Sequence, residues 1–496
     1  MIYSFVNDNS WMKNHMRMQP KFITVALALI SAGSVSPTFA QGYGVNEQSI
    51  SAMGSAYAGR GAHVQDASIL YGNPAGITQL EHAEISQNVT FVKAYSDIKN
   101  SQGSGLAQNG THEGDFVPEV VLGSSYASVP LNHLVDGLSA GIGLYVPYGI
   151  SSNYESSFQG SVFGDKTKVK VVSLQPTVAY EINPKVSVGV GATINRMDGE
   201  INQSLTGASD RTGLKGEDFA GGYNVGVLLR PTDKTHVGLT YHSKVEFKLK
   251  DTAYIQDLNP LALLANPQAA ALLSQKGIDL SKLPALDNLN MTSYDASLKV
   301  TTPESAELSV SYQATPNLNL LASATWTRWS RLGTLSPETG FSADLLLAQN
   351  SQLAGLLGQM AASGKLSPQE IAGIKQMVNA QLSGQHDEAL KFKDNWMFNV
   401  GTEYTLNPQW KLRAGYAYDQ TPVDTAHRTV RLPLGNRHLI SVGATYNATA
   451  NTSIDAGYMY IFENTARVHQ EKATASYSAE YQNKAHTVGL QINHRF

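Results

Sequence analysis

One pentapeptide of the sequence has the residue spacing of a catalytic motif. Gly137-Leu138-Ser139-Ala140-Gly141 matches the Gly-x-Ser-x-Gly nucleophile elbow, in which a sharp strand-to-helix turn exposes the serine of a hydrolase. Here the motif opens a segment of alternating polar and apolar residues, which is typical of a strand. The 13 histidines form no His-Glu-x-x-His cluster and the chain has no cysteine, so neither a metal site nor a thiol nucleophile is predicted. We therefore expect no enzymatic activity and no cofactor.

Other charged residues could bind a ligand rather than transform it. They lie on the polar faces of alternating segments: Lys244, Glu246, Lys248, Glu307, Glu403 and Arg413. A carboxylate ligand would be held best by a basic side chain, so Lys244 and Arg413 are the candidates. The alternative is that all six belong to solvated or paired networks inside a barrel.

The elements that would position these side chains are strands with two different faces. In the segment 186–195, Val and Ile alternate with Ser, Gly, Thr and Asn, and successive strand side chains point to opposite sides. A soluble strand would usually carry charges on its outer face, whereas a small, uncharged polar face suits a barrel lumen. The sequence therefore predicts an all-β transmembrane barrel, and its net charge of −4 gives no reason to expect a nucleic-acid partner.

Counting the alternating segments gives fourteen antiparallel strands. They are predicted at 84–97, 117–129, 137–147, 168–182, 185–199, 217–230, 234–249, 294–314, 317–331, 391–406, 409–419, 436–447, 451–463 and 483–496. Tight turns rich in Pro, Asn and Asp alternate with long connections, as expected for periplasmic turns and extracellular loops.

The N-terminal region precedes the first strand. Basic residues, the apolar run 22–30 and small residues up to Ala40 predict a signal peptide over residues 1–40. Residues 41–82 are rich in Gly, Ala and Ser, and are predicted to fold into the lumen of the barrel, 83–496, as a hatch. We expect a monomeric, multi-pass protein of the cell outer membrane, in contact with lipid and lipopolysaccharide.

Two connections are too long to be plain loops. The stretches 257–288 and 341–384 carry leucine-rich patterns, which predict short amphipathic helices in the extracellular loops. These helices could form a self-packed cap. Alternatively they form an apolar groove that captures a ligand, with Leu356 and Leu357 as candidate binding residues.

Strand three contains residues that weaken a hydrogen-bonded ladder. Gly141 and Gly143 permit bending, and Pro147, just before Tyr148 and Gly149, has no N–H to donate. These residues predict a kink that could open the barrel wall. The alternative is that Pro147 merely ends the strand.

Several motifs of residues 41–82 resemble a known family. Asn46-Glu47, the glycine-rich run 54–62, Asp66-Ala67 and Asn73-Pro74-Ala75 follow one another in the order and spacing of the N-terminal hatch of the FadL family, the outer-membrane long-chain fatty acid transporters. Further counterparts are Tyr148-Gly149, Pro303-Glu304, Trp329-Ser330 and the stretch Asp419 to Tyr446, which includes Arg428, Pro433 and Arg437.

The resemblance implies a function and several roles. Ligand would be held first by loop helices, then by an internal site, and would leave sideways at the strand-three kink. Tyr43 matches a ligand-contacting aromatic residue of the family, and Asn73, Pro74 and Ala75 belong to the gating hatch. The implied activity is passive uptake of hydrophobic small molecules, with long-chain fatty acids as the expected substrates. Aromatic hydrocarbons are the alternative, because the family's basic carboxylate-binding residues do not align clearly with any Arg or Lys here.

Two alternatives come from other functional classes. A lipid hydrolase would use Ser139 together with a histidine at the rim of the barrel. A phage receptor or adhesin would use the long extracellular loops, and this role is compatible with transport.

Overall fold

The computed structural model describes residues 43–496, except 208, 265–266 and 385–387. The predicted signal peptide and the first residues of the predicted hatch lie outside the described residues. The described part forms fourteen antiparallel strands, and the first strand pairs with the last, which closes the barrel. The predicted fold class is confirmed.

Three of the strands are interrupted by two residues each and therefore consist of two segments. The strands are β1 (Glu84–Gly105), β2 (Val120–Pro130), β3 (Leu138–Asn153), β4 (Lys166–Asn183), β5 (Val186–Gln203), β6 (Arg211–Thr232), β7 (Thr235–His242 and Val245–Leu258), β8 (Leu289–Thr302 and Ser305–Thr315), β9 (Leu318–Thr327), β10 (Asn395–Asn407), β11 (Trp410–Asp419), β12 (Arg437–Asn447), β13 (Thr452–Glu463 and Ala466–Lys472) and β14 (Ala475–Arg495).

Short turns join the strands at one end of the barrel, which we call the short-turn end, and long connections join them at the long-loop end. Several strands extend further toward the long-loop end than the alternation predicted. β7 continues to Leu258 and β14 begins at Ala475. Outward side chains of the barrel are apolar and exposed, as Val190 and Leu490 illustrate, whereas inward ones such as Asn399 and Thr487 are polar and buried. This arrangement is the one that lipid outside and a polar lumen require.

Helices occur in the hatch and in both predicted helical loops. They are α1 (Ile50–Met53), α2 (Ile69–Gly72), α3 (Pro260–Leu264), α4 (Pro267–Gln275), α5 (Ala343–Gln349), α6 (Ser351–Ala362) and α7 (Pro368–Gly384). Short 3-10 helices lie at Pro74–Gln79, Leu280–Lys282, Trp329–Arg331 and Thr425–His427, and Thr334–Leu335 pairs with Glu388–Ala389. None of the helices in the described part of the chain is both long and apolar enough to cross a membrane.

Candidate functional site

Residues 43–83 pack against the inner wall of the barrel through many polar contacts. The Asn73 side chain donates to the carbonyls of Gly61 at 2.8 Å and of Val227, on β6, at 3.0 Å. The wall is glycine here because there is no room for a side chain: a Cβ at Gly226 would lie 2.0 Å from Asn73 Oδ1. Asn73, Pro74 and Ala75 thus face β5 to β7.

The hatch residues that face strand three are different ones. A Cβ at Gly141 would lie 2.7 Å from Leu70 Cδ1, and one at Gly143 would lie 3.1 Å from Leu70 Cδ2. Ile77 also approaches Gly141. The two glycines therefore allow Leu70 to pack closely against the wall.

A buried charged network joins the hatch to the wall. Arg413 Nε donates to Glu403 at 2.8 Å and Arg413 Nη1 donates to Asp455 at 3.1 Å, while His63 of the hatch contacts Glu403 at 3.1 Å. Glu307 pairs in the same way with Arg60 of the hatch at 2.6 Å. The interpretation as a paired network therefore describes these side chains, and Arg413 forms ion pairs with Glu403 and Asp455 next to the hatch.

Lys244, Glu246 and Lys248 do not face the lumen, so that part of the prediction is wrong. The pairing of β7 with β6 shifts by one residue between His242, opposite Asn224, and Lys250, opposite Glu217. One extra residue on a strand exchanges its two faces. Above the break, the inward side chains of β7 are apolar, namely Val245, Phe247 and Leu249, and Lys244 points outward to form an ion pair with Glu246.

Strand β3 has an irregular ladder on both sides. Its pairing with β2 ends at Leu144, opposite Ser125, and its pairing with β4 changes register between Tyr145 and Tyr148. The strand nevertheless continues to Asn153, so Pro147 does not end it. Beyond Leu144, the two neighbouring strands β2 and β3 are not hydrogen-bonded to each other.

The first described residues of the hatch, Tyr43–Gln48, fill this gap; we call them the closing segment. Val45 N donates to Pro147 O at 2.8 Å, and Gly149 N donates to Tyr43 O at 2.6 Å. Gly44 is thereby paired with Tyr148 in antiparallel fashion. The closing segment thus takes the place of a neighbouring strand alongside β3.

Gln48 connects both sides of the gap. Its side-chain nitrogen donates to the carbonyl of Val146 on β3 at 2.6 Å. Its carbonyl oxygen accepts from Asn88 of β1 at 2.9 Å and from Ser124 of β2 at 3.0 Å. The gap is therefore closed by one short, non-covalently held segment.

An aromatic cluster lies next to the closing segment. The ring of Tyr43 is 4.9 Å from that of Trp329 and 5.5 Å from that of Tyr148, measured between centroids. Tyr148 also donates its hydroxyl to Pro303 O at 3.0 Å, across the interruption of β8. The Tyr43 hydroxyl and the Trp329 indole nitrogen are buried with no hydrogen-bond partner among the described residues.

The loop helices continue this apolar region toward the long-loop end. Leu357 and Met360 of α6 belong to the same buried cluster as Ile374 of α7, together with Tyr43 and Trp329. α7 also contacts α3 and α4, so the two helical loops pack against each other. Leu357 is buried and Leu356 packs against the cluster while half-exposed. An unbroken apolar region therefore runs from the loops to the closing segment.

Arg437 is a site candidate that the sequence did not single out as a ligand residue. Its guanidinium is buried, and its Nε lies 3.5 Å from Asp419 and 3.7 Å from Glu463. Neither Nε nor Nη2 has a hydrogen-bond partner among the described residues. Leu439, two residues below on the same face, packs against the hatch, so Arg437 lies at the hatch surface nearer the long loops. Arg437 is the first residue of β12, directly after the loop 420–436, and a basic residue at a strand end was the sequence feature that could have indicated a ligand site.

Ser139 has no catalytic surroundings. It lies within β3, paired with Pro130 on one side and Ala179 on the other, rather than at a strand-to-helix turn. The described residues contain no group of histidines and carboxylates suited to hold a metal ion.

The fold and its internal hatch define a plugged outer-membrane β-barrel. A family model for outer membrane transport proteins (OMPP1/FadL/TodX) matches residues 31–496, and the chain belongs to this family. It is 25% identical to a long-chain fatty acid transport protein of Escherichia coli, over 96% of this chain and 98% of the relative. It is also 25% identical to outer membrane protein P1 of Haemophilus influenzae, over 97% of this chain and all of the relative.

Solved structures show the same fold. A Pseudomonas aeruginosa FadL homologue aligns with a TM-score of 0.70 at 23% identity, covering 94% of this chain and 100% of that one. The Pseudomonas putida toluene transporter TodX aligns with a TM-score of 0.55 at 13% identity, covering 89% and 98%. The Escherichia coli and Pseudomonas putida proteins are named as transport proteins, and the family is one of outer membrane proteins.

Proposed function

We propose that this protein admits hydrophobic compounds, chiefly long-chain fatty acids, passively through the outer membrane. The long loops face outward and the short turns face the periplasm, as is usual for such barrels. Ligand passes from the loop helices to the aromatic cluster and leaves sideways between β2 and β3. The observation that carries the proposal is the interrupted β2–β3 ladder, which among the described residues is closed by residues 43–48.

Capture at the loops rests on the continuous apolar cluster. Its core contains leucine, isoleucine, valine and methionine side chains, among them Leu357 and Ile374. Burying about a dozen methylenes of an acyl chain would contribute roughly 10 kcal/mol before the cost of ordering the ligand. Such a groove binds an acyl chain without any charged contact.

Lateral exit rests on the polarity of the two possible routes. Below the aromatic cluster, the lumen is filled by the hatch and its charged contacts, such as those of Arg60 and His63. An apolar ligand would lose favourable surroundings on that route. Release of Tyr43–Gln48 would instead expose an unpaired stretch of β3 to the ligand, with the membrane on the other side.

The headgroup of a fatty acid fits Arg437. A buried guanidinium with two donor nitrogens that lack hydrogen-bond partners among the described residues could donate to a ligand carboxylate. Asp419 and Glu463 lie close by, and Glu47 Oε2 is buried without a partner. Burial raises the pKa of Glu47 to about 7, although backbone N–H groups and the charge of Arg437 oppose the rise. A protonated Glu47 would not compete with the ligand for Arg437, so that Asp419 and Glu463 are the carboxylates that a ligand would have to displace.

Aromatic hydrocarbons are the second candidate class. The observation that favours them is the cluster of Tyr43, Tyr148 and Trp329, whose rings would stack against an aromatic ligand. A relative named for long-chain fatty acid transport is 25% identical, whereas the toluene transporter TodX is 13% identical, which favours the first class.

An uptake comparison distinguishes the two classes. Cells that lack other uptake channels, with and without this protein, should take up oleate faster when the protein is present, and toluene uptake should change little. Stimulation of toluene uptake alone would replace the fatty acid proposal. No stimulation of either compound would contradict uptake altogether.

The role of Arg437 has its own test. In the purified protein, Arg437→Met should abolish the preference for oleic acid over oleyl alcohol, and should leave alcohol binding unchanged. Removing a charge-assisted hydrogen bond costs about 1.5–3 kcal/mol, which is roughly a 10- to 150-fold loss of acid affinity. An unchanged preference would exclude Arg437 as the headgroup residue while leaving the route intact.

A further inference from the structure

The outer wall of the barrel has an apolar groove on strands β6 to β10. Its volume is about 650 Å³, and it opens outward between large side chains, including Tyr241, Trp326 and Trp396. Small residues form its floor, among them Ala306 and Ala324. The groove faces the membrane and could therefore bind an acyl chain on the outside of the barrel.

Positive charge gathers directly above this groove, toward the long-loop end. Lys244 follows Tyr241 on β7, and Arg328 and Arg331 follow Trp326 on β9. Glu304 accepts from both arginines, and Glu246 pairs with Lys244. A third carboxylate, Asp394, accepts from Ser330 N at 3.1 Å, so the cations next to the groove are matched in number by carboxylates.

Two further lysines lie directly opposite each other on the outer face of the hairpin β7–β8. Lys248 and Lys299 are cross-strand partners, and both are exposed. The ammonium groups of Lys248, Lys299 and Lys250 form no ion pair with another described residue, although Asp218 accepts from Lys248 N at 2.7 Å and Glu217 is the cross-strand partner of Lys250. Like charges directly opposite in a ladder are destabilising, so this arrangement favours an anion placed between them.

We propose that β6 to β10 bind one lipopolysaccharide molecule, with an acyl chain in the groove and phosphates on Lys248, Lys299 and the cations below them. The one-residue shift in β7 makes this site, because it turns Lys244 and Lys248 outward and the apolar side chains inward. Lipopolysaccharide occupies the outer leaflet and combines several phosphates with acyl chains. A zwitterionic phospholipid lacks the net charge, and free phosphate cannot fill the groove.

The inference rests on the proposed orientation of the barrel, with the long loops outward, and not on transport. Its test uses the full-length mature protein in detergent, with native mass spectrometry to measure binding of bisphosphorylated lipid A. Lys248→Gln/Lys299→Gln should weaken binding on the order of tenfold, because each lysine near an anionic lipid surface contributes to affinity. Lys185→Gln/Lys234→Gln, which removes two exposed lysines from short turns, should have no effect.

Three additional binding measurements test the groove and the phosphate contacts separately. Ala306→Leu should weaken binding by narrowing the groove, monophosphoryl lipid A should bind less tightly than the bisphosphorylated form, and inorganic pyrophosphate should compete poorly. Heat-modifiable migration in gels verifies that each variant is folded. Equal lipid A binding by the wild type and Lys248→Gln/Lys299→Gln would overturn the proposal, as would full displacement by pyrophosphate. Oleate uptake is scored separately, so failure here and failure of transport are distinguishable.

Discussion

The closing segment can be locked in place by a disulfide. Gly44 and Tyr148 form a pair whose flanking residues make the hydrogen bonds, as in the non-hydrogen-bonded pairs of an antiparallel ladder. Such pairs have Cα atoms about 4.5 Å apart, which lies within the disulfide range. Gly44→Cys/Tyr148→Cys should therefore form a bridge, and the absence of native cysteine leaves no competing thiol.

The size of the expected effect follows from the contacts. Release of the closing segment breaks three hydrogen bonds with β3: Val45 N to Pro147 O, Gly149 N to Tyr43 O, and Gln48 Nε2 to Val146 O. At about 1 kcal/mol each, these three bonds alone hold the open form to on the order of one molecule in a hundred, and the bonds of Asn88 and Ser124 to Gln48 O lower that fraction further. Ligand binding is expected to raise this fraction in the native protein, and the disulfide should prevent it entirely.

The assay is oleate uptake by cells that express the oxidised double variant, before and after reduction. Uptake should fall to the level of cells without the protein and return on reduction to the level of the Tyr148→Cys single variant, which itself lacks one ring of the aromatic cluster. Uptake by each single cysteine variant should not depend on reduction. A second pair, Leu70→Cys/Gly143→Cys joined by a short thiol cross-linker, ties the hatch to β3 below the gap and should permit uptake. Full uptake by Gly44→Cys/Tyr148→Cys, with its disulfide verified by mass spectrometry, would refute the gate. The hatch would then be a static plug.

Three other expectations follow. Leu357→Glu should reduce uptake several-fold, and Leu356→Glu less, because Leu357 is buried in the loop cluster while Leu356 is half-exposed; unaltered uptake in barrels of normal heat stability would make the helices a cap. Since burial raises the pKa of Glu47 to about 7, the folded state binds more protons than the unfolded state, so docking of residues 43–48 should weaken as pH rises from about 4.5 to 7. Hydrogen exchange corrected for intrinsic rates measures this change, and Glu47→Gln should remove it. Planar bilayers should show low ion conductance that rises when residues 43–82 are deleted; equal conductance would mean that the hatch does not obstruct the pore.

The alternation of residue types predicted the strands well, because a barrel wall imposes a two-residue period on every strand that crosses the membrane. It failed where that period is broken. Pro303 marks the interruption of β8, but the matching interruption of β7 at Ser243 and Lys244 contains neither proline nor glycine. Nothing in the local sequence distinguishes it, and so Lys244 was assigned to the wrong face.

The remainder of the site depends on contacts between distant parts of the chain. The glycines and Pro147 indicated a weak ladder in strand three, and the irregularity lies there, although opening of the wall stays a prediction. The partner that fills the gap, Tyr43–Gln48, was not evident, because its backbone hydrogen bonds carry no signature of residue type. The position of Asn73 was not evident from the sequence either: its side chain contacts β6 rather than strand three.

The two irregularities of the wall meet at Tyr148. This residue pairs with Gly44 of the closing segment and donates its hydroxyl to Pro303, where β8 is interrupted. At this level the inward face of β7 changes from polar contacts with the hatch to apolar contacts with the loop helices. On the proposed route, an apolar ligand that descends from the loops would therefore reach a polar floor at the level where β3 is not paired with β2. Its least costly continuation would be sideways, and movement of Tyr43 would uncover both the binding cluster and the exit in one step.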